Sequence, residues 1–177
     1  MDLIPEDKKE SLFKKRKEQI IEKAGNFKIK TFATSIWEIS LYKAWTEIVA
    51  SLVSSMPKLE SNLANFAKAC GAEEISLFEK STFLLTCNYS NNKINDDQRY
   101  EKISHIIKKF KLSCLSTQSK FQSMVIKTKN FTAYLDEFTS ATYIFIIITN
   151  KNVNTEVLRL NVALAKDNFE TLINEEN

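Results

Sequence analysis

The chain has 177 residues, of which 44% are hydrophobic and 11% aromatic, enough to bury one ordinary domain or one small domain plus a fragment. Lysine and arginine number 25 against 22 aspartates and glutamates, and the net charge of +3 gives no general electrostatic case for nucleic acid or an anionic membrane. The longest apolar run, Tyr143 to Ile148, is far shorter than the roughly 20 residues that span a bilayer, and the N-terminus has no apolar signal region, so we expect a soluble, intracellular protein.

Glycine is scarce, since only Gly25 and Gly71 occur in the whole sequence. A phosphate-binding loop of the form GxxxxGK followed by Ser or Thr needs two glycines five positions apart, because backbone amides must approach the phosphates without an intervening Cβ. This sequence cannot contain such a loop. We therefore predict no catalytic residues of that kind in the chain as it stands.

Metal and thiol chemistry receive little support from the sequence. Cys70, Cys87 and Cys114 lie far apart, whereas structural zinc needs about four clustered Cys or His ligands, so we predict no metal site. Reduced core cysteines are the favoured interpretation, and a redox role is the alternative. The single histidine, His105, is predicted at a surface or an interface rather than in catalysis, because no nucleophile or carboxylate motif accompanies it.

The first predicted helix lies between Pro5 and Gly25, with proline in the first turn, acidic residues early and glycine as its stop. Its predicted buried side consists of Leu12, Phe13, Ile20, Ile21 and Ala24. The basic run from Lys14 to Lys17 could be a nuclear localisation patch, but acidic residues interleave with this helix, so a solvated face is favoured.

A short strand is predicted from Asn26 to Phe32, where polar and apolar residues alternate, and a helix from Ile36 to Val53. Helix, strand, loop and helix resemble the end of a wound α/β domain that lacks the sheet it would pack against. Pro57 marks a boundary, because proline removes an amide donor and disfavours helical geometry in the residue before it.

After Pro57 the pattern predicts helix, two strands, helix, three strands and helix. The helices are predicted over Lys58–Cys70, Tyr100–Cys114 and Thr155–Leu172, and the strands over Glu74–Phe78, Ser81–Tyr89, Phe121–Lys127, Phe131–Glu137 and Thr142–Thr149. The last strand is apolar on both faces, as a central strand would be. Short links between strands favour antiparallel pairing, so we predict an α+β fold with one five-stranded antiparallel sheet and three helices.

The helix from Tyr100 to Cys114 carries an apolar stripe at alternating steps of three and four residues. Its predicted buried members are Tyr100, Ile103, Ile107, Phe110 and Cys114. Leu112 projects to the opposite side, where burial against a second subunit would recover roughly 1.5 to 3 kcal/mol, unless it is simply an isolated exposed leucine. The strand that begins at Phe121 could extend the sheet of a partner.

This order of elements is similar to the roadblock fold, a small domain that dimerises with its own kind. Five blocks of sequence go further, namely TSIWEISLYKAW, FEKSTFLL, RYEKISHIIKKFKLSC, FQSM and NFTAYLDEFTSATY. Together they resemble the Rag subfamily of small GTPases, of the A/B rather than the C/D type, over nearly the whole chain. The resemblance implies that residues 1–56 are the C-terminal remnant of a GTPase domain of the P-loop type and that residues 57–177 are a roadblock-like dimerisation domain.

The resemblance also implies a remnant of the guanine site. Met1 to Leu3 resembles the tail of the guanine-specificity motif, in which Asp2 would accept hydrogen bonds from the flat N–H edge of the base. Ser35 and Ile36 fall in what would be the guanine loop, and Glu38 stands where the family carries Asp. The phosphate loop, switch regions and magnesium ligands would lie upstream of Met1, so we expect this remnant to bind nothing by itself.

By the same resemblance, the partner is a C/D-type Rag chain, and a Ragulator-like scaffold holds the pair at the lysosome or vacuole to relay amino-acid sufficiency to TOR complex 1. Contact with the membrane is then only indirect, through the scaffold. Candidate interface residues are His105, Lys108, Leu112, Phe121, Gln122 and Met124. No cofactor is expected for this chain, although GTP or GDP with magnesium belongs to the full-length family.

Two alternatives stay open. The gene product could be a full GTPase that begins upstream of Met1 and both binds and hydrolyses GTP. Nucleic-acid binding through the basic helix Lys8 to Lys23 is a weaker alternative, and it would show an affinity that falls steeply with salt.

Overall fold

The computed structural model describes residues 4–35, 39–52, 56–91, 98–150 and 152–174. Its helices are α1 Glu6–Ala24, α2 Ile39–Leu52, α3 Met56–Cys70, α4 Arg99–Ser116 and α5 Thr155–Asn174. Its strands are β1 Glu74–Glu79, β2 Leu85–Ser90, β3 Ser123–Lys127, β4 Thr132–Glu137 and β5 Thr142–Ile148. The chain divides into two compact units, one ending at Glu47 and the other beginning at Ile48. The predicted boundary at Pro57, after which a new unit was expected to begin, stays a prediction.

The first unit contains α1 and most of α2. The predicted stop of α1 is confirmed, because Gly25 follows the helix with a φ of 59°. The predicted strand from Asn26 to Phe32 is wrong, since the structure has no regular element there. An alternating pattern forms a strand only when another strand satisfies its backbone, and the described part of this unit offers none. We predicted Ile20 and Ile21 to be buried, but each is 46% exposed, because the described part of this unit has no sheet to cover them.

The second unit is built on one five-stranded sheet in the order β2-β1-β5-β4-β3, and every neighbouring pair is antiparallel. The predicted sheet is thereby confirmed. β5 lies at the centre between β1 and β4, and all its residues except Ile147 are buried, which agrees with its apolar sequence. β2 and β3 are the edge strands.

One face of the sheet is covered by α3 and α5. The predicted inward residues of α3 lie in the core, with Leu59, Leu63 and Ala67 at most 1% exposed. Phe138, at the end of β4, joins the layers, because its ring centroid lies 4.9 Å from that of Phe169 in α5 and 6.4 Å from that of Phe66 in α3. This core holds the α3–α5 layer to the sheet.

Gly71 ends α3, as predicted, with a φ of 62°. The amide of Ala72 donates to the carbonyl of Ala67 at 2.9 Å, and the amide of Gly71 donates to the carbonyl of Lys68 at 3.2 Å. These two bonds form a Schellman motif, which satisfies carbonyls that the helix itself leaves free.

Three strands begin later than predicted: β4 begins one residue later, at Thr132, and the two larger shifts each have a local cause. β2 begins at Leu85 rather than Ser81, because the Glu79 carboxylate accepts hydrogen bonds from the amides of Ser81 and Thr82 and closes a turn. β3 begins at Ser123 rather than Phe121, whose ring packs against the rest of the unit instead of entering the ladder.

Candidate partner-binding surface

α4 lies against the face of the sheet opposite the α3–α5 layer, and its N-terminal half is held there by polar contacts. Ile107 is 1% exposed, and the hydroxyl of buried Ser104 donates to the carbonyl of Phe83 at 2.7 Å. One turn earlier, the Asn88 side chain of β2 donates to the Tyr100 hydroxyl at 2.8 Å. These contacts fix the rotation of the helix about its axis.

The first turn of α4 also makes an ion pair with the sheet. Glu74 of β1 is 2% exposed, and its Oε2 lies 2.6 Å from Nη2 of Arg99. Burial raises the pKa of Glu74, while the positive charge of Arg99 and the nearby Tyr100 and Ser76 side chains oppose that rise. Within the described residues neither Glu74 Oε1 nor Ser76 Oγ has a hydrogen bond of good geometry, so Arg99 is the main compensation for this buried charge.

The charge of Glu74 also affects the pKa of the neighbouring residue, Tyr100. Burial, followed by the Glu74 carboxylate, raises the pKa of Tyr100 to about 12. The phenol therefore stays protonated and available as a donor near neutral pH. Tyr100, Arg99 and Glu74 thus form one polar anchor between the helix and the sheet.

The C-terminal half of α4 covers an aromatic cluster. The rings of Phe83 and Tyr143 stack with centroids 5.3 Å apart, and Phe121 lies 5.8 Å from Tyr143. Lys111 Nζ donates to the Lys80 carbonyl at 3.2 Å and lies 5.0 Å from the Phe83 ring centroid, within reach of a cation–π contact. This end of the helix is held through the segment that precedes β2.

Four large apolar side chains of α4 remain largely outside these contacts. They are Ile106, Phe110, Leu112 and Leu115, which are 49%, 50%, 65% and 60% exposed. We predicted Phe110 to be buried, and that prediction is wrong, because the contacts that hold α4 to the rest of the unit lie on the side of Ser104, Ile107 and Lys111. Ser104 and Lys111 face the segment before β2, so helical periodicity places Ile106 and Phe110 on a different side of the helix.

The edge strand β3 also exposes apolar side chains on the face of the sheet that α4 covers. Met124 pairs with Leu135 and Ile126 with Ala133, so both lie on the α4 face of the sheet. Ile126 is 38% exposed and Met124 is half-buried. We call the set formed by Ile106, Phe110, Met124 and Ile126 the α4–β3 surface. It consists of exposed or half-buried apolar side chains of α4 and of the edge strand β3.

The predicted interface residues are distributed around this surface and stay predictions. His105 is exposed, with Nε2 3.9 Å from Glu101 Oε1 one turn earlier. Lys108 is half-buried, whereas Leu112 and Gln122 are exposed. Phe121 is 8% exposed against Tyr143, and Met124 belongs to the α4–β3 surface. Ile106, Phe110 and Ile126 were missed as interface candidates, although the apolar stripe of α4 and the alternation in β3 carried the signal.

The predicted guanine-site remnant is described only in part. Ser35 is 5% exposed, and its amide donates to the Ser40 hydroxyl at 3.0 Å. Asp2 and Ile36 lie outside the described residues. Ser35 also lines a cavity of about 270 Å³ within the first unit, together with Phe13 and the side chains of Lys9 and Glu10.

Two further properties of the described residues bear on function. No group of three or more His, Cys, Asp or Glu side chains in the described ranges is placed to hold a metal ion. Within the same ranges, no helix combines the length and hydropathy needed to cross a bilayer.

The architecture of the second unit defines a roadblock-type domain. It superimposes on the gliding protein MglB of Thermus thermophilus with a TM-score of 0.55 at 12% identity, covering 69% of this chain and 93% of that one. A Roadblock/LC7 domain from Streptomyces avermitilis gives 0.51 at 9% identity, covering 62% and 92%. At these identities the likeness establishes the fold.

Sequence relatives identify the family. The model of the Gtr1/RagA G protein conserved region matches residues 1–107. The chain is 44% identical over 174 residues to Ras-related GTP-binding protein A of Dictyostelium discoideum, covering 98% of this chain and 58% of that protein. It is 40% identical to GTP-binding protein gtr1 of Schizosaccharomyces pombe, covering 94% and 54%. This chain belongs to the Gtr1/RagA family of GTP-binding proteins, and it spans little more than half the length of these relatives.

Proposed function

We propose that this chain is the dimer-forming and scaffold-binding part of an A/B-type Rag GTP-binding protein. The observation that carries the proposal is the α4–β3 surface, because half-exposed apolar side chains of α4 and an edge strand lie on one face of the sheet of a roadblock-type domain. A second roadblock-type chain can cover both at once, because its own edge strand extends the sheet while its helix packs on the apolar flank.

Membership of the family supports the identity of the partner. We propose a C/D-type Rag chain as the second subunit, and a Ragulator-like scaffold that holds the pair at the lysosome or vacuole. In this arrangement the protein contacts the membrane only through the scaffold and relays amino-acid sufficiency to TOR complex 1. Residues 1–56 are, in this proposal, the end of a GTPase domain, and residues 57–177 are the dimerisation domain.

The alternative function is that of a full GTPase. Its support is the family itself and the fact that the chain covers only 58% of the Dictyostelium relative. In that case GTP or GDP with magnesium would be bound largely by residues outside this sequence, because the two glycines present cannot form a phosphate loop.

Co-expression with a C/D-type Rag chain tests the proposed interface. We expect the two chains to co-purify, and we expect Ile106→Glu to reduce recovery of the complex about tenfold or more, because the substitution buries a charge in an apolar contact. The matched control is Leu160→Glu in α5, where the leucine is 58% exposed, compared with 49% for Ile106.

Two outcomes would contradict the proposal. A chain that stays monomeric when co-expressed with the C/D-type chain would argue against dimerisation altogether. Equal loss from Ile106→Glu and Leu160→Glu would show that the α4–β3 surface is not the contact.

A further inference from the structure

Positive charge is concentrated in one continuous part of the chain. From Lys102 to Leu135 the sequence contains seven lysines and neither aspartate nor glutamate. The whole chain has 25 basic and 22 acidic residues, so outside this stretch 18 basic residues face 22 acidic ones. The stretch contains most of α4, all of β3 and the hairpin into β4. Although the net charge of the whole chain is only +3, the elements that contain the α4–β3 surface are strongly basic.

The seven lysines of this stretch are Lys102, Lys108, Lys109, Lys111, Lys120, Lys127 and Lys129. Most of them are exposed. Lys111 is turned inward to the Lys80 carbonyl and Phe83, and Lys108 is half-buried, whereas the other five are exposed. By contrast, α5 on the opposite face of the sheet mixes three acidic residues with two basic ones.

This charge distribution bears on which partner can pair with the surface. A two-fold pair of identical chains would place α4 beside α4 and β3 beside β3, because such an interface uses the same patch on both subunits. The lysines of one copy would then face those of the other, and their repulsion acts over a screening length of about 8 Å at physiological salt. Like charges juxtaposed across an interface suppress that pairing, and opposite charges favour it.

We infer that the α4–β3 surface selects a roadblock-type partner with acidic side chains on its matching helix and edge strand, and that its lysines exclude a second copy of this chain. The inference rests on the proposed function and adds the chemistry of the partner to it. The apolar side chains supply the contact, and the lysines around them decide which chain makes it.

Charge reversal on this chain alone tests the exclusion of a second copy. The variant Lys109→Glu, Lys120→Glu, Lys129→Glu changes three exposed lysines, and the matched control changes Lys58, Lys68 and Lys166 of α3 and α5 to Glu. In equilibrium sedimentation of differently labelled chains, we expect wild type to pair with the reversed variant about tenfold more tightly than with itself. The control should show no such gain, and the gain should vanish near 1 M NaCl, where the screening length is about 3 Å.

Affinity for the C/D-type chain tests the acidic partner. We expect the reversed variant to bind it about tenfold more weakly than wild type and the control variant to bind it normally. The three lysines changed to Gln, which removes charge without reversing it, should give an intermediate loss. The Gln variant replaces the Glu variant if the latter melts below the control.

The possible failures are distinguishable. If wild type pairs with itself as tightly as with the reversed variant, or if the C/D-type chain binds wild type and reversed variant equally, the charge inference is overturned while the proposed dimer stands. If wild type does not bind the C/D-type chain at all, the proposed function falls and this inference falls with it.

Discussion

At the level of single side chains, Glu74 holds α4 to the sheet through its ion pair with Arg99, and burying its carboxylate has an energetic cost. The carboxylate is buried, and Arg99 is its one ion-pair partner among the described residues. Burial raises the pKa of Glu74 above the ordinary value of 4.5. Its contribution to stability is therefore fully present below pH 4.5 and is lost as the pH rises through the higher folded-state value.

The substitution Arg99→Met tests the energetic cost of burying the Glu74 carboxylate. At pH 7 we expect the free energy of unfolding to fall by about 3 kcal/mol, because a buried carboxylate loses its compensating charge. The deficit should shrink as the pH is lowered towards 4.5, since Glu74 then takes up a proton more readily in the folded chain. Urea unfolding at several pH values measures this.

The double variant Arg99→Met, Glu74→Gln serves as its control, because the amide cannot ionise. We expect its deficit relative to wild type to vary less with pH than that of the single variant. A pH-independent deficit in Arg99→Met would show that the helix loses packing rather than charge compensation.

Single residues also show why sequence reasoning predicted some of the site and missed the rest. The apolar stripe of α4 correctly marked Ile107 as buried, but a stripe does not reveal which part of it the rest of the unit covers, and Phe110 is half-exposed. Buried Ser104 carries no apolar signal, because its partner is the Phe83 carbonyl, which only the fold brings within reach.

At the scale of elements, the sequence predicted a helix or strand well where its apolar periodicity and the residues at its two ends are sufficient to define it. α3 was predicted from Lys58 to Cys70 from its stripe and from Gly71 as stop, and the structure begins it at Met56, because proline is tolerated in the first turn of a helix. The segment from Asn26 to Phe32 failed as a strand because strand formation depends on a neighbour that periodicity cannot report. The antiparallel sheet was predictable because the links between its successive strands are short.

The end of α3 offers a clean test of the Schellman motif. Gly71→Ala should lower the free energy of unfolding by about 1 kcal/mol, because an alanine at positive φ is strained. A Cβ there would meet no other part of the protein within 4 Å, so the cost comes from the local backbone conformation and not from a clash with neighbouring side chains. Gly71→Asn should cost less, since asparagine tolerates the left-handed region. Equal midpoints for the two variants in guanidinium would contradict this explanation.

At the scale of the whole molecule, the chain combines a complete roadblock-type sheet with a first unit that has no strand among its described residues. Family membership follows from the sequence relatives and the fold from the solved structures, and this sequence covers 58% of the Dictyostelium relative.

The purified chain should therefore show no GTP hydrolysis above a buffer blank, because no two glycines are spaced for a phosphate loop and phosphate contacts supply most of the attraction for a nucleotide. Release of phosphate over several hours measures this, with GTP-binding protein gtr1 of Schizosaccharomyces pombe as the reference protein. Turnover that survives further purification and scales with the amount of chain would contradict the expectation.

The position of β5 at the middle of the sheet governs when the protein can fold during synthesis. β1 hydrogen-bonds to β5 along its whole length, yet α4, β3 and β4 separate the two strands in sequence. Such distant pairing slows folding, because a long loop must close before its contacts form. On the ribosome the β1–β2 hairpin waits with one edge unpaired until translation has passed Ile148, and in that interval the nascent chain is open to chaperones and to aggregation.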